Sequence, residues 1–301
     1  MSLSVNDQTL LGLVGHPVSH SLSPALHNAA LSHCGISGEY KLFDIEESAL
    51  KSTLSLLIGQ GLSGFNVTIP HKTTVYDLVD QLTPEAVMIG AVNTIKVDSA
   101  GHLLGYNTDA LGFRAAVEHG FGNRFDNKTA FLLGYGGSAK AVLVALSQLG
   151  FSKTYVLGRN QSKLQAFVDQ ATKRMNAHSQ KVDGASKMSI LPYKENKPGL
   201  VDLIVNTVPF GMGHVGMIQP EPLPAWVDDI CIKLPKSCNA VDLVYQQDDS
   251  LPPFALSLAR RGLVVQDGIE MLVQQARASF EIWTEQQVPV SVLKSAIKRI
   301  N

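Results

Sequence analysis

Cysteine is scarce: the 301-residue chain holds three, Cys34, Cys231 and Cys238. The number is odd, and Cys231 and Cys238 are too far apart for a C-x-x-C pair. No disulfide framework or zinc-ligand pattern can be assembled from them, and the reading is of reduced thiols in a cytoplasmic protein. Long apolar runs are also missing. Nothing approaches the roughly 18 residues that a membrane helix needs, and the stretch MSLSVNDQTLLGLVG has no basic region of the kind that opens a signal peptide. Blocks of like charge are absent too, and the formal net charge is −1. A nucleic-acid surface and a polybasic membrane patch are therefore not expected. What is abundant is apolar side chain: 45% hydrophobic against 17% charged, enough for a sizeable core in one or two domains.

Strand-like and helix-like segments alternate along the first third. LLGLVG, YKLFDI, LSGFNVTIP and AVNTIKV read as strands. SPALHNAALSHCG reads as a helix, with Pro24 near its start and Gly35 as its stop, and a second helix is expected over residues 49–58. In FNVTIPHK, Phe65, Val67 and Ile69 alternate with Asn66 and Thr68, which predicts a half-buried strand ended by Pro70. His71 and Lys72 follow; His71 reads as a structural or solvated histidine. Beyond Asp109, the segments AFLLGYGGSAKAVLVALSQLG, TYVLGRN, LVDLIVNTVPFGM, NAVDLVY and GLVVQDG continue the alternation, and residues 176–199 read as a polar loop. IEMLVQQARASFEIWT carries apolar residues at helical spacing. Such repetition predicts a parallel, doubly wound sheet in an α/β fold.

GYGGSAKA sets Gly134, Gly136 and Gly137 after a strand and before a helix. Glycines there let a backbone approach a pyrophosphate, and a helix N-terminus supplies unpaired N–H groups. The string is G-x-G-G, since Ala139 stands where a third glycine would complete the fingerprint, and a plain tight turn would also fit. The next strand ends in GRNQSK, with Arg159 and Lys163 and no carboxylate before Asp169. Cations in place of an acid point to the 2′-phosphate of NADP rather than the ribose diol of NAD; a solvated basic turn is the plainer alternative. Four further strings, GHPVSHSLSPALHN, FNVTIPHK, GAVNT and GYNTDALG, gather hydroxyls, amides, a lysine and an aspartate at strand ends. Such groups suit a small polyhydroxylated carboxylate, although Ser23 and Asp109 could equally cap helices.

Taken in order, GHPVSHSLSPALHN, GFNVTIPHK, GAVNT, GYNTDALGF, LLGYGGSAKA, VNTVPFGM, DLVY and MLVQQARASFEIW resemble the shikimate dehydrogenase family over about residues 12–284. The resemblance implies reversible NADP-linked reduction of 3-dehydroshikimate to shikimate, on the pathway to chorismate and the aromatic amino acids. It implies a discontinuous substrate domain, residues 1–110 completed by 268–301, and a Rossmann-like NADP domain over 111–267, with a cleft between them. By the same resemblance Ser21 and Ser23 bind the substrate carboxylate, and Thr68, Asn93 and Asp109 hold ring hydroxyls. Lys72 is the acid/base, hydrogen-bonded near Asp109, while Tyr245 and Gln275 are further substrate contacts. Gly134, Tyr135, Gly136, Gly137 and Ser138 form the phosphate loop, Arg159, Asn160 and Lys163 face the 2′-phosphate, and Leu243 and Gly268 lie beside the nicotinamide. Tyr135 and Ser138 replace the alanines of the family's usual G-A-G-G-A, and Gly158-Arg159-Asn160 replaces its usual N-R-T. A quinate/shikimate dehydrogenase using NAD or NADP is the near alternative, and a catalytically silent nucleotide-binding paralogue the distant one. A homodimer is left open.

Overall fold

The structure is a computed structural model that describes residues 8–182, 184, 188–193, 200–211, 223–248 and 250–298. In chain order the elements are β1 (Thr9–Gly15), α1 (Ser23–His33), β2 (Gly38–Asp44), α2 (Leu50–Gly59), β3 (Leu62–Val67), β4 (Gln81–Leu82), α3 (Pro84–Ile89), β5 (Thr94–Val97), β6 (Leu103–Tyr106) and α4 (Asp109–Phe121). They continue as β7 (Thr129–Leu133), α5 (Gly137–Gln148), β8 (Lys153–Leu157), α6 (Gln161–His178), β9 (Ser189–Pro192), β10 (Leu203–Asn206), α7 (Ala225–Lys233), β11 (Asn239–Asp242), α8 (Pro253–Arg260), β12 (Val264–Gln266), α9 (Ile269–Thr284) and α10 (Val290–Lys298). The chain divides into two compact units: Met1–Ala86, Gly90–Thr108 and Leu272–Asn301 form one, and Val87–Ile89 and Asp109–Met271 the other.

In the first unit a six-stranded sheet runs β2-β1-β3-β5-β6-β4. β1 pairs in parallel with both β2 and β3, but β5 is antiparallel to β3 and to β6. The sheet is therefore mixed where uniform βα alternation predicts parallel pairing. The connection from β3 to β5 contains the short strand β4 and the six-residue helix α3 and does not return the chain in the same direction. α1 carries Pro24 in its first turn and ends at His33; Gly35, whose φ is +65°, follows the C-cap Cys34. Phe65, Val67, Val14, Leu62 and Ile95 form the core beneath β3.

β3 is not half-buried. Leu62 and every residue from Gly64 to Val67 are buried, and the strand ends at Val67, leaving Ile69 42% exposed. The face holding Gly64 and Asn66 is covered by α9. The Trp283 indole lies against Gly64, where an added Cβ would come within 2.6 Å of its ring nitrogen, and the indole Nε1 donates to the Ile95 carbonyl at 2.8 Å.

The second unit's six strands run β12-β11-β10-β7-β8-β9, all parallel. Numbered by appearance within the unit, the order reads 6-5-4-1-2-3, that of a doubly wound dinucleotide fold, with its switch point between β7 and β10. The strands are short apolar runs, as in β10, where all four residues are buried, because helices cover both faces. α5 is apolar nearly all round for the same reason: Ala139 and Ala141–Ser147 are buried. The expected polar loop over 176–199 is corrected by the structure. α6 runs on to His178, a 3₁₀ turn covers Ser179–Lys181, and β9 forms an edge strand with Ile190 its one buried residue. Residues 183, 185–187 and 194–199 of that stretch lie outside the described ones.

Candidate active site

In the first unit, polar side chains gather at the carboxyl ends of β1 and β3, the usual place for a ligand in an α/β sheet. The Thr68 N–H donates to the Val14 carbonyl at 2.9 Å and the His16 N–H to the Ile69 carbonyl at 2.9 Å, so the chain after β1 leaves beside Thr68. That chain carries Ser21 and Ser23. The Ser21 hydroxyl donates to Ser23 Oγ at 3.1 Å and accepts from the Ser23 N–H at 3.2 Å. Ser23 is the first residue of α1, and the residue that precedes it, Leu22, makes no side-chain cap, so the helix-cap reading of Ser23 is set aside. Asp109, which belongs to the second unit, is the buried first residue of α4, where a carboxylate suits the helix dipole.

Asn93 follows from the same sheet. Its N–H donates to the Tyr106 carbonyl at 3.1 Å, and its carbonyl accepts from Val67 N–H at 2.8 Å. Its side-chain Oδ1 accepts from the Thr108 N–H at 2.7 Å and the Thr94 hydroxyl at 2.9 Å. Its amide nitrogen donates to Thr108 Oγ1 at 3.0 Å, so both ends of the side chain are held in place. The Lys72 carbonyl accepts from the Val92 N–H at 2.9 Å, fixing the Lys72 backbone beside the Asn93 segment. Gln275, on α9, is buried, and its Oε1 accepts from Thr108 Oγ1 at 3.5 Å. Thr68, Asn93 and Gln275 thus belong to one neighbourhood.

Beneath them lies a hydroxyl and amide network. Tyr40, Thr94 and Ser279 have no assigned part in the sequence reading, whereas Asn66 is there expected, with Thr68 and Lys72, off the strand end toward the substrate. Asn66 Nδ2 donates to Ser279 Oγ at 2.9 Å and Thr94 Oγ1 at 3.0 Å, and Asn66 Oδ1 accepts from the Tyr40 hydroxyl at 2.9 Å. Ser279 also reaches Thr94 at 2.8 Å and Thr108 at 3.1 Å and donates to the Gln275 carbonyl at 3.0 Å. Asn66 is 4% exposed and hydrogen-bonded throughout, so it supports the site from below and does not face a ligand. Polar residues at inward positions of apolar strands, with Ser279 one helical turn after Gln275, were the available signal. His71 is structural: it is buried, and its Nε2 meets the Ile45 carbonyl at 2.6 Å. His27 stacks on Tyr40 with centroids 4.3 Å apart. Burial pushes its imidazole down to about 3, against a weaker upward pull from Asn66.

The second unit uses backbone where the first uses side chains. Gly134 has φ +103°, a region other residues avoid, and a Cβ there would run into the Thr207 hydroxyl. Gly136 precedes α5 with no side-chain cap and open space on its Cα, so a pyrophosphate can approach the helix N-terminus closely. Gly137 and Ser138 form the first turn. Arg159 and Lys163 are exposed, and Asn160 caps α6, its Oδ1 accepting from the Lys163 N–H at 2.9 Å. That leaves the Asn160 amide nitrogen, not its oxygen, for an anion. No carboxylate lies from Leu157 to Lys163. These features fit a dinucleotide that bears a 2′-phosphate.

At the ends of β10 and β11, Asp242 accepts from Asn206 Nδ2 at 2.8 Å, Val244 N–H at 3.1 Å and Ala255 N–H at 3.3 Å. Burial still pushes its carboxyl up to about 7. This buried pair shapes the turn that carries Leu243 and Tyr245. Gly268 docks there, its N–H donating to the Val244 carbonyl at 3.1 Å, so close to Leu243 that a Cβ would collide with the Leu243 carbonyl. Burial pushes the thiols of Cys231 and Cys238 up to about 12 and keeps them inert. No helix of the described residues is long and apolar enough to cross a membrane.

Residues 13–95 match the shikimate dehydrogenase substrate binding domain, and residues 268–298 match the shikimate 5′-dehydrogenase C-terminal domain. A protein of Synechocystis sp. named shikimate dehydrogenase (NADP(+)) is 38% identical over 291 residues, covering 96% of this chain and 94% of its own. A crystal structure of shikimate dehydrogenase in complex with NADP+ superposes with TM-score 0.81 at 31% identity, covering 98% of this chain and 96% of that one. The Thermus thermophilus shikimate 5-dehydrogenase, in complex with NADP(H) and shikimate, gives TM-score 0.78 at 31% identity, over 98% of this chain and all of that one (100%). The near-complete coverage of both chains at these identities places the protein in the shikimate dehydrogenase family.

Proposed function

We propose that the protein is an NADP-dependent shikimate dehydrogenase, catalysing reversible reduction of 3-dehydroshikimate to shikimate in chorismate and aromatic amino acid biosynthesis. The observation that carries this is the full-length kinship to enzymes of that name, joined to a polar neighbourhood suited to a hydroxylated carboxylate. The first unit supplies most of the substrate contacts and the second binds the cofactor. Gly134, Tyr135, Gly136, Gly137 and Ser138 hold the pyrophosphate, Arg159, Asn160 and Lys163 the 2′-phosphate, and Leu243 and Gly268 border the nicotinamide. NADP, when bound, supplies or accepts the hydride.

The chain's own residues bind, orient and move one proton. Ser21 and Ser23 donate to the substrate carboxylate, exchanging their mutual hydrogen bond for charge-assisted ones. Asn93 donates from its amide nitrogen to a ring oxygen, and Thr68, Asp109, Tyr245 and Gln275 hold the remaining hydroxyls. Lys72 carries the acid/base role: its ammonium stabilises charge that develops on the carbonyl oxygen and delivers the proton, with Asp109 as its partner in the mechanism. The reading includes a cytoplasmic location.

The test is a set of four initial-rate measurements: shikimate and quinate, each with NADP+ and NAD+. The expected result is the highest kcat/KM for shikimate with NADP+. Faster turnover of quinate with NAD+ would replace this reading by the quinate/shikimate one. No turnover in all four would leave a silent nucleotide-binding paralogue.

A further inference from the structure

Tyr135 stands in the loop that must admit a pyrophosphate, flanked by Gly134 and Gly136, and it is the loop's one bulky side chain. Its ring does not point idly outward. Tyr135 is half-buried, and its Cε1 and Cδ1 lie 2.5 and 2.7 Å from where a Cβ on Gly158 would stand. The ring therefore fills the space of the side chain that residue 158 lacks. β7 and β8 are adjacent and parallel, with Leu133 opposite Leu157, and the Gly134 N–H donates to the Leu157 carbonyl at 2.9 Å. Tyr135 and Arg159 consequently both stand two residues past the paired ends of neighbouring strands. Gly158 has no positive φ and, apart from the ring, nothing bars a Cβ there. The missing side chain is explained by the tyrosine.

An aromatic ring held by packing loses little rotamer freedom when its hydroxyl binds a ligand. Here that hydroxyl belongs to a ring that reaches from the phosphate loop to Gly158, the neighbour in sequence of the exposed Arg159. In a doubly wound fold this is the ground on which the adenosine ribose and its 2′-substituent are recognised. We propose that Tyr135 is a specificity-determining residue for the nucleotide, its phenolic O–H donating to the adenosine 2′-phosphate beside Arg159, with Gly158 kept side-chain-free so that the ring can lie there. The proposal rests on the NADP reading above and adds a neutral donor to its cations.

The test is calorimetric binding of 2′,5′-ADP and 5′-ADP, which report the adenosine end without turnover. Wild type should bind 2′,5′-ADP at least about tenfold more tightly than 5′-ADP. Tyr135→Phe keeps the ring and its packing; it should lose roughly tenfold or more in 2′,5′-ADP affinity and stay within about twofold for 5′-ADP, the mark of one lost hydrogen bond to a charged group. Gly158→Ala should displace the ring and give the same selective loss. The double variant should be no worse than either single one, because both act through one contact. A Tyr135→Phe protein that binds 2′,5′-ADP as wild type does would overturn the proposal and leave the NADP reading standing. Equal wild-type affinity for the two nucleotides would instead overturn the NADP reading itself.

Discussion

On the proposed reading the two units would meet their ligands by different means. In the first, the groups offered are side chains, and each is held by others: Asn93 by Thr94 and Thr108, Gln275 by Thr108, and all of these by Asn66 and Ser279. In the second, what is offered is mainly backbone N–H at the start of α5 and two exposed cations. A small ring with several distinguishable oxygens demands oriented donors and acceptors, and orientation requires a second layer of bonds. A pyrophosphate demands positive potential at close range, which glycine and a helix N-terminus supply without side chains. Damage to one side chain should therefore be felt differently in the two places.

The largest effect is expected at Lys72. Lys72→Ala should lower kcat by about 10²–10⁴-fold, the range for losing a general acid, while KM for shikimate moves much less, because the lost terms belong to the transition state. Steady-state kinetics in both directions measure this. Near-normal turnover would remove Lys72 from the chemistry.

In the proposed cofactor site charge sets the choice, so Arg159→Asp should invert the nucleotide preference. Wild type should favour NADP+ over NAD+ by about tenfold or more in kcat/KM, as one charge-assisted contact implies. The variant repels the 2′-phosphate and should favour NAD+, with KM for shikimate unchanged. The comparison is made at fixed ionic strength because salt screens it.

A smaller effect separates binding from support within the first unit. Ser21→Ala should raise KM for shikimate, with the melting temperature nearly unchanged. Ser279→Ala strips a hydroxyl from Asn66, Thr94 and Thr108 together, at about 1–3 kcal/mol for polar groups left unpaired. It should lower the melting temperature by several degrees and raise KM as well. If Ser279→Ala melts as wild type does, the network does not hold the site.

Much of this was legible in the chain itself, for reasons that differ by element. The loop at Gly134 could be read because strand, glycine turn and helix follow one another within twenty residues, and local pattern is what sequence displays. Asn66 could not. An asparagine between Phe65 and Val67 has the period of a solvent-facing residue, and it is buried because α9, some 200 residues later, brings Ser279 onto it at 2.9 Å. The direction of β5 was equally hidden, since strand polarity depends on how a connection returns rather than on the strand. β9 was missed because an edge strand with one buried residue, Ile190, has the composition of a loop.

The subtlest expected difference is one of pH. His27 in the first unit is pushed down to about 3 by burial, below its unfolded value near 6.5, so the unfolded chain binds the proton more readily. Its contribution is complete above about 6.5 and is lost as pH falls toward 3. Asp242 in the second unit is pushed up to about 7 from 3.8, so its contribution is complete below about 4 and is lost as pH rises toward 7. Each unit holds one of the chain's two tryptophans, Trp283 and Trp226 respectively. Urea unfolding of Trp226→Phe and Trp283→Phe variants, followed by the remaining indole at pH 4.5 and 6.5, should show the first unit weakening and the second strengthening at the lower pH. Parallel shifts would show that these two groups do not set the balance.

The covering of Gly64 by Trp283 has a consequence for how the protein comes into being. A chain emerging from the ribosome presents β1–β6 long before α9 and α10 exist. The inward face of β3, with Asn66 and its unmet amide, waits through the synthesis of the whole second unit. That unit is almost continuous in sequence and can close on its own as it emerges. The later-born helices then act as the final clasp on the earlier-born sheet, so the portion made first is completed last. Until then the apolar strands of that sheet stay partly uncovered, the condition in which nascent chains are prone to aggregate.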